Sequence, residues 1–171
     1  MKLTKNKNHI RGFTLIELLV VVSIIQLLAS VVITSLYQAR LKARMTVSVA
    51  DLGKLNQAIN LYYQDNGAYP LSSNPAGWDG LYTCVGFGGI STPTWVPGVV
   101  PNYIQSLPRD PRKLTDCGKQ YLYRSNGIDY KLISNQTEDI VFITNKYPYL
   151  VDTLVRPTWA FGYWSTGAAA W

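Results

Sequence analysis

Residues Phe13 to Leu36 read FTLIELLVVVSIIQLLASVVITSL, with a single charge, Glu17, and otherwise only Thr, Ser and Gln as polar side chains. At a helical rise of ~1.5 Å per residue this run would reach about 36 Å, enough to cross a hydrocarbon core of roughly 30 Å. A cleavable secretory signal has an apolar core of only about 7 to 15 residues before a small-x-small cleavage site. The run is therefore read as a membrane span. Immediately ahead of it stand Lys2, Lys5, Lys7 and Arg11, with no acid before Glu17. A cationic block before an apolar helix is held on the cytoplasmic side, so the rest of the chain is expected outside the cytoplasm.

The chain has 171 residues, a formal net charge of +6, 47% hydrophobic and only 15% charged residues, which suits one globular domain beside the span. Such a composition excludes a disordered or collagen-like chain. The excess of 16 Lys and Arg over 10 acids invites a nucleic-acid reading, but four of those cations lie in the first twelve residues. Without them 12 cations face 10 acids, a side-chain sum of +2. Much of the basicity is thus topological, and no nucleic-acid partner is expected.

Two residues set this span apart from a plain anchor. Gly12 stands at its cytoplasmic edge, and Glu17 lies five residues into it counting Phe13 as the first. An unpaired carboxylate at that depth costs about 2.5 kcal/mol or more, so it needs a partner. Cleavage between Gly12 and Phe13 would supply one. The new Phe13 amine is a cation at the same depth, and in an oligomer the Glu17 of one chain would meet the Phe13 ammonium of the next.

The string Arg11-Gly12-Phe13-Thr14-Leu15-Ile16-Glu17-Leu18-Leu19, followed by VVVSII, resembles the class III signal sequence of type IV pilins and type II secretion pseudopilins. The resemblance implies that a prepilin peptidase cuts after Gly12 and methylates Phe13. It also implies that Glu17 guides addition of subunits to a filament, on an inner-membrane assembly platform, from identical or related pilin-like subunits. Two positions depart from the pattern. Gln26 stands where many relatives have a mid-helix Gly, and Thr34 where pilins often carry a kinking Pro.

Beyond Leu36 the helical pattern turns amphipathic. Leu41, Met45, Leu52, Leu55, Ile59 and Tyr62 share one face, while Arg40, Lys42, Arg44, Asp51, Lys54, Gln57 and Asn60 occupy the others. Arg40, Lys42 and Arg44 read as a solvated face, or as contacts to lipid headgroups or acidic neighbours. Asp65-Asn66-Gly67 with Pro70 beyond it ends the helix. Asn126-Gly127 between Gln120–Ser125 and Asp129–Ser134 is a strong hairpin signal, and Asp139 to Thr144 (DIVFIT) reads as a third β-rich run. The expected fold is α+β, a long helix packed on a small antiparallel sheet. The expected organisation is a leader over 1–12, a transmembrane part over 13–36, an amphipathic spine over 37–66 and an exported head over 67–171. Tyr63 to Pro70 resembles the pseudopilin pattern Tyr-x-x-x-x-Gly-x-Tyr-Pro. Tyr103 to Pro111 is similar to the "YI..LP.DP" segment of major pseudopilins, and Tyr121 to Gly127 to their first sheet strand and turn.

Residues 71–101 form a Gly-, Pro-, Ser- and Thr-rich loop region, expected to be packed. Cys84 and Cys117, the only cysteines, make a disulfide plausible in an oxidising compartment, where closing the loop would contribute about 3 to 4 kcal/mol; the alternative is two buried thiols. The resemblance implies a calcium ion in an acidic loop before the last strand. The corresponding stretch, Ser134 to Asp139, offers only Glu138 and Asp139, few oxygens for calcium, and reads equally as a polar turn. In the tail from Tyr147 to Trp171, Tyr149, Trp159, Phe161, Tyr163, Trp164 and Trp171 are expected to fill a core or a subunit contact, or to form a glycan-binding surface. His9, the one histidine, lies in the leader, and no nucleophile, phosphate loop or metal motif points to an enzyme. Two filament readings stay open, a secretion pseudopilin acting in protein export and a type IV pilin for adhesion, motility or DNA uptake. A membrane-anchored glycan-binding module is the alternative of another class.

Overall fold

Apolar periodicity carries a single helix, α1, from Leu15 to Asn66. The computed structural model describes residues 13–74, 76–82, 88–91, 93–112 and 118–171, and divides into two units, Met1–Ala39 and Arg40–Trp171. Gly12, Cys84 and Cys117 lie outside the described residues.

In the first unit none of the apolar span is buried within the chain. A helix that is hydrophobic all round, with nothing of its own to pack on, is suited to lipid or to other helices. In the second unit α1 is amphipathic and buries Leu41, Met45, Ser48, Leu52, Leu55, Ala58 and Ile59. The helix ends where the sequence indicates. Gly67 adopts φ 70° and its N–H reaches the Tyr63 carbonyl at 2.8 Å, a left-handed cap that glycine takes without steric cost.

The sheet comprises β1 (Trp78–Gly80), β2 (Gly88–Ser91), β3 (Tyr121–Ser125), β4 (Tyr130–Ser134) and β5 (Phe161–Trp164) in the order β2-β1-β3-β4-β5. The pairs β1–β3, β3–β4 and β4–β5 are antiparallel, and β2 joins the β1 edge in parallel. The β3–β4 hairpin turns through Asn126 and Gly127 as expected. Asn126 Oδ1 accepts from the Ile128 and Asp129 N–H groups at 3.0 and 2.8 Å, and Gly127 takes φ 87°. Strand alternation then sorts the side chains. Tyr121, Tyr123, Tyr130, Leu132 and Phe161 face Met45, Leu52, Leu55, Ala58 and Ile59 of α1. Each such aliphatic side chain, fully buried, stabilises by roughly 1.5–3 kcal/mol. Trp95, Val96 and Val99 complete this core, so the loop region is packed as its aromatics suggest.

DIVFIT is not a strand. Its residues form α2, Ile140–Lys146, because Asp139 caps the helix, accepting from the Phe142 N–H at 2.8 Å, and because one turn places Ile143 fully in the core. A cap and a buried anchor outweigh the modest β preference of Ile, Val and Thr. The strand position is taken instead by β5 from the aromatic tail. Gly162 lets it approach, since a Cβ there would lie 1.9 Å from the Leu132 carbonyl oxygen.

The face of the sheet away from α1 holds a smaller apolar cluster, Leu122, Ile133 and Ala160 with Trp78, and a buried charge centre. Asp152 and Lys131 are both fully buried. Asp152 Oδ2 receives Lys131 Nζ at 3.0 Å and Arg156 Nη1 at 3.1 Å, and the two cations also donate to the Trp171 main-chain oxygen at 3.1 and 2.6 Å. Burial pushes the Lys131 ammonium below its usual range while Asp152 pulls it back up, with a net lowering. The tail aromatics cover this centre. Trp164 lies 4.9 Å from Lys131 Nζ, Trp171 stacks on Arg124 at 4.7 Å, and Arg156 lies against Trp78 at 4.9 Å and Trp159 at 5.6 Å. Of the aromatic residues in the tail, Phe161 is core, Tyr163, Trp164 and Trp171 are half-buried, and Tyr149 and Trp159 are exposed.

Candidate assembly site and the acidic loop

The start of α1 forms a capping box that the sequence reading missed, although its signal, Thr-x-x-Glu ahead of an apolar run, is plain at Thr14-Leu15-Ile16-Glu17. The Glu17 N–H donates to Thr14 Oγ1 at 3.3 Å. In return Glu17 Oε2 accepts from the Thr14 N–H at 2.9 Å and from Thr14 Oγ1 at 2.7 Å. These bonds satisfy donors that a helix start otherwise leaves open, and they place a negative group at the positive end of the helix dipole. Both Thr14 bonds fall on one carboxylate oxygen; Oε1 has no partner among the described residues. Phe13, Ile16, Val20 and Val21 line a shallow apolar groove beside Glu17, and Phe13 is 86% exposed. Glu17 therefore sits fixed at the helix start with one oxygen open to a partner.

The acidic loop is committed differently. Glu138 pairs with Arg44 of α1, Nε to Oε2 at 2.9 Å and Nη2 to Oε1 at 3.2 Å. Asp139 is occupied as the α2 cap. The cation gathered by this loop is a side chain, Arg112, nearly buried against Asp110 with Nη2 to Oδ2 at 2.6 Å and Nε to Oδ1 at 2.8 Å. Its Nη2 also donates to the Asn135 carbonyl at 2.9 Å, and its Nη1 to the Gln136 carbonyl.

Residues 7–36 match the prokaryotic N-terminal methylation motif family. Over 109 residues the chain is 34% identical to the type II secretion system core protein G of Aeromonas hydrophila, covering 61% of this chain and 69% of the relative. The protein of the same name from Vibrio cholerae is 34% identical over 116 residues, with 68% and 71% covered, and that of Escherichia coli K12 is 37% identical over 106 residues, with 59% and 66% covered. The chain belongs to the type II secretion core protein G family, the major pseudopilins. No solved structure matches it. The chain spans about two thirds of the length of these relatives.

In this pseudopilin the acidic loop does not fit calcium. That ion requires about six or more oxygens, whereas Glu138 and Asp139 are turned to Arg44 and to α2, and the loop carbonyls of Asn135 and Gln136 already accept from Arg112. Among the described residues no group of three or more His, Cys, Asp or Glu gathers around a common point. Arg112 was missed in the sequence because an Asp-Pro-Arg triplet carries no spacing signal; only the fold brings residues 110–112 against 135–136.

Proposed function

We propose that this pseudopilin is stored in the cytoplasmic membrane through residues 13–36 with its head outside the cytoplasm, and is built into a helical filament that acts in protein export. A prepilin peptidase cuts between Gly12 and Phe13 and methylates the new amine. Related pilin-like subunits and an inner-membrane assembly platform are its partners. Leaving lipid for a bundle of like helices costs little apolar contact, because Leu, Val and Ile pack as well on one another as on acyl chains.

The observation that carries this reading is the state of Glu17. A carboxylate within an apolar span, bound by Thr14 through one oxygen and open through the other, is complementary to the ammonium of a neighbour's Phe13. Its role is structural, and no catalytic step is assigned to the chain. Intact-mass measurement of the mature protein tests the processing: an N-methylated Phe13 start is expected, and a Met1 start overturns the filament reading. Glu17→Ala is expected to leave cleavage intact and to lower filament yield. Normal yield from that variant would refute the pairing of Glu17 with a neighbour.

A further inference from the structure

Seven polar side chains lie between Phe13 and Leu36, where lipid offers no hydrogen bonds. Thr14 and Glu17 satisfy one another. Ser23 donates to the Leu19 carbonyl at 2.7 Å, Ser30 to Leu27 at 2.8 Å, Thr34 to Val31 at 2.9 Å and Ser35 to Val32 at 3.0 Å. Gln26 is the exception. Its carboxamide, exposed near the middle of the span, has no hydrogen-bond partner among the described residues.

We propose that the Gln26 face of the span is where two copies of this chain pair within the bilayer, carboxamide to carboxamide. A primary amide both donates and accepts, so like can pair with like through two reciprocal N–H···O bonds. Copies inserted by the same leader are parallel, which brings their Gln26 side chains to the same depth. A different membrane helix would need a polar group at that level by coincidence. Ser23 and Ser30 stand three residues before and four after Gln26 and share its side of the helix. Both are small, and both hydroxyls are already turned back onto their own helix, so the two backbones can close around one polar contact. Glu17 lies nine residues earlier, about two and a half turns, and so faces the opposite way. Pairing through Gln26 leaves Glu17 free for its own partner. The inference rests on the membrane-stored subunit proposed above and adds a second contact to it.

The test is energy transfer between donor- and acceptor-labelled copies of the full chain in phosphatidylcholine vesicles, over a series of protein-to-lipid ratios. Wild type is expected to associate as the protein-to-lipid ratio rises. Gln26→Leu, which inserts at least as well because it is more apolar, is expected to need a roughly 3- to 30-fold higher ratio for half-association. Circular dichroism of the same vesicles verifies that its helix is intact. Equal midpoints for wild type and Gln26→Leu overturn the proposal. So does a wild type that stays monomeric at every ratio, whatever other membrane helix it meets in cells. The filament reading fails by a different measurement, an uncleaved Met1 start, so the two failures are distinguishable.

Discussion

Alkaline titration probes the packing of the head directly, through three buried tyrosines on the sheet. Tyr121, Tyr123 and Tyr130 are at most 4% exposed. Tyr123 Oη donates to the Pro70 carbonyl at 2.6 Å, Tyr121 Oη to Asp51 at 3.3 Å, and Tyr130 Oη to Asn56. Burial raises the phenol of Tyr130 to about 12 and those of Tyr121 and Tyr123 further still. In the unfolded chain each ionises near pH 10, about its ordinary value. Below that pH both states hold the protons and the contribution is fully present. Above it the unfolded state loses protons that the folded state keeps, so stability falls as pH rises. Each tyrosine costs about 1.4 kcal/mol per pH unit in that window, and the three together about 4 kcal/mol. For Tyr130 the loss ends near pH 12 at about 3 kcal/mol. A domain holds about 5–15 kcal/mol in all, so the head is expected to unfold cooperatively between roughly pH 11 and 12. The assay follows tyrosinate absorbance and circular dichroism together on the full chain in detergent micelles. The buried phenols ionise only as the structure is lost. Tyr123→Phe, which removes one linked proton, is expected to reduce the pH slope of stability by about a third. A head in which all phenols ionise smoothly near pH 10 with its dichroism intact would refute the argument from burial.

Asp152→Ala is expected to cost about 3–5 kcal/mol by denaturant unfolding, because it leaves Lys131 fully buried without its anion and removes the partner of the half-buried Arg156. Asp152→Leu combined with Lys131→Met is expected to cost less than the single change; a larger loss would count against the charge centre. Chelation with EDTA is expected to leave the melting temperature of the head unchanged, whereas Arg112→Ala lowers stability by about 1–3 kcal/mol by freeing buried acceptors at Asp110 and Asn135. Thiol alkylation of the exported protein is expected to label Cys84 and Cys117 only after reduction, and labelling without reductant would exclude a bond between them.

How much the sequence disclosed depended on whether the deciding physics was local. The apolar start of the helix, its amphipathic continuation, the Gly67 cap and the Asn126-Gly127 turn are each written into a few adjacent residues, by hydropathy, by period or by a glycine at positive φ, and the structure has a helix, a cap and a turn at those residues. Residues 139–144 and 161–164 show the opposite. Both are rich in β-formers, and propensity gave the nearer run to the sheet. Asp139 caps that run into a helix, while Gly162 admits the later one beside β4. A cap of one residue and a close approach of one glycine decided the matter, and the second is visible only once the partner strand is in place.

Lys131 carries the same point into energetics. Alternation along β4 sets it on the face away from α1, where a lysine ordinarily signals water. It is fully buried instead, because the tail returns over that face and supplies Asp152, Arg156, Trp164 and Trp171 from outside the hairpin. The aromatic residues that suggested a binding surface are thereby divided by function. Trp164 and Trp171 shield cations that would otherwise draw water into the sheet, and Arg156 spans from Trp78 to Trp159 as part of the same cover. Only Tyr149 and Trp159 retain enough exposed ring to meet another molecule. A substitution that strips the cover, such as Trp164→Ala, should therefore act on stability through Lys131 rather than on recognition. If Trp164→Ala left the unfolding free energy unchanged and impaired only filament assembly, Trp164 would be a contact surface and not a shield.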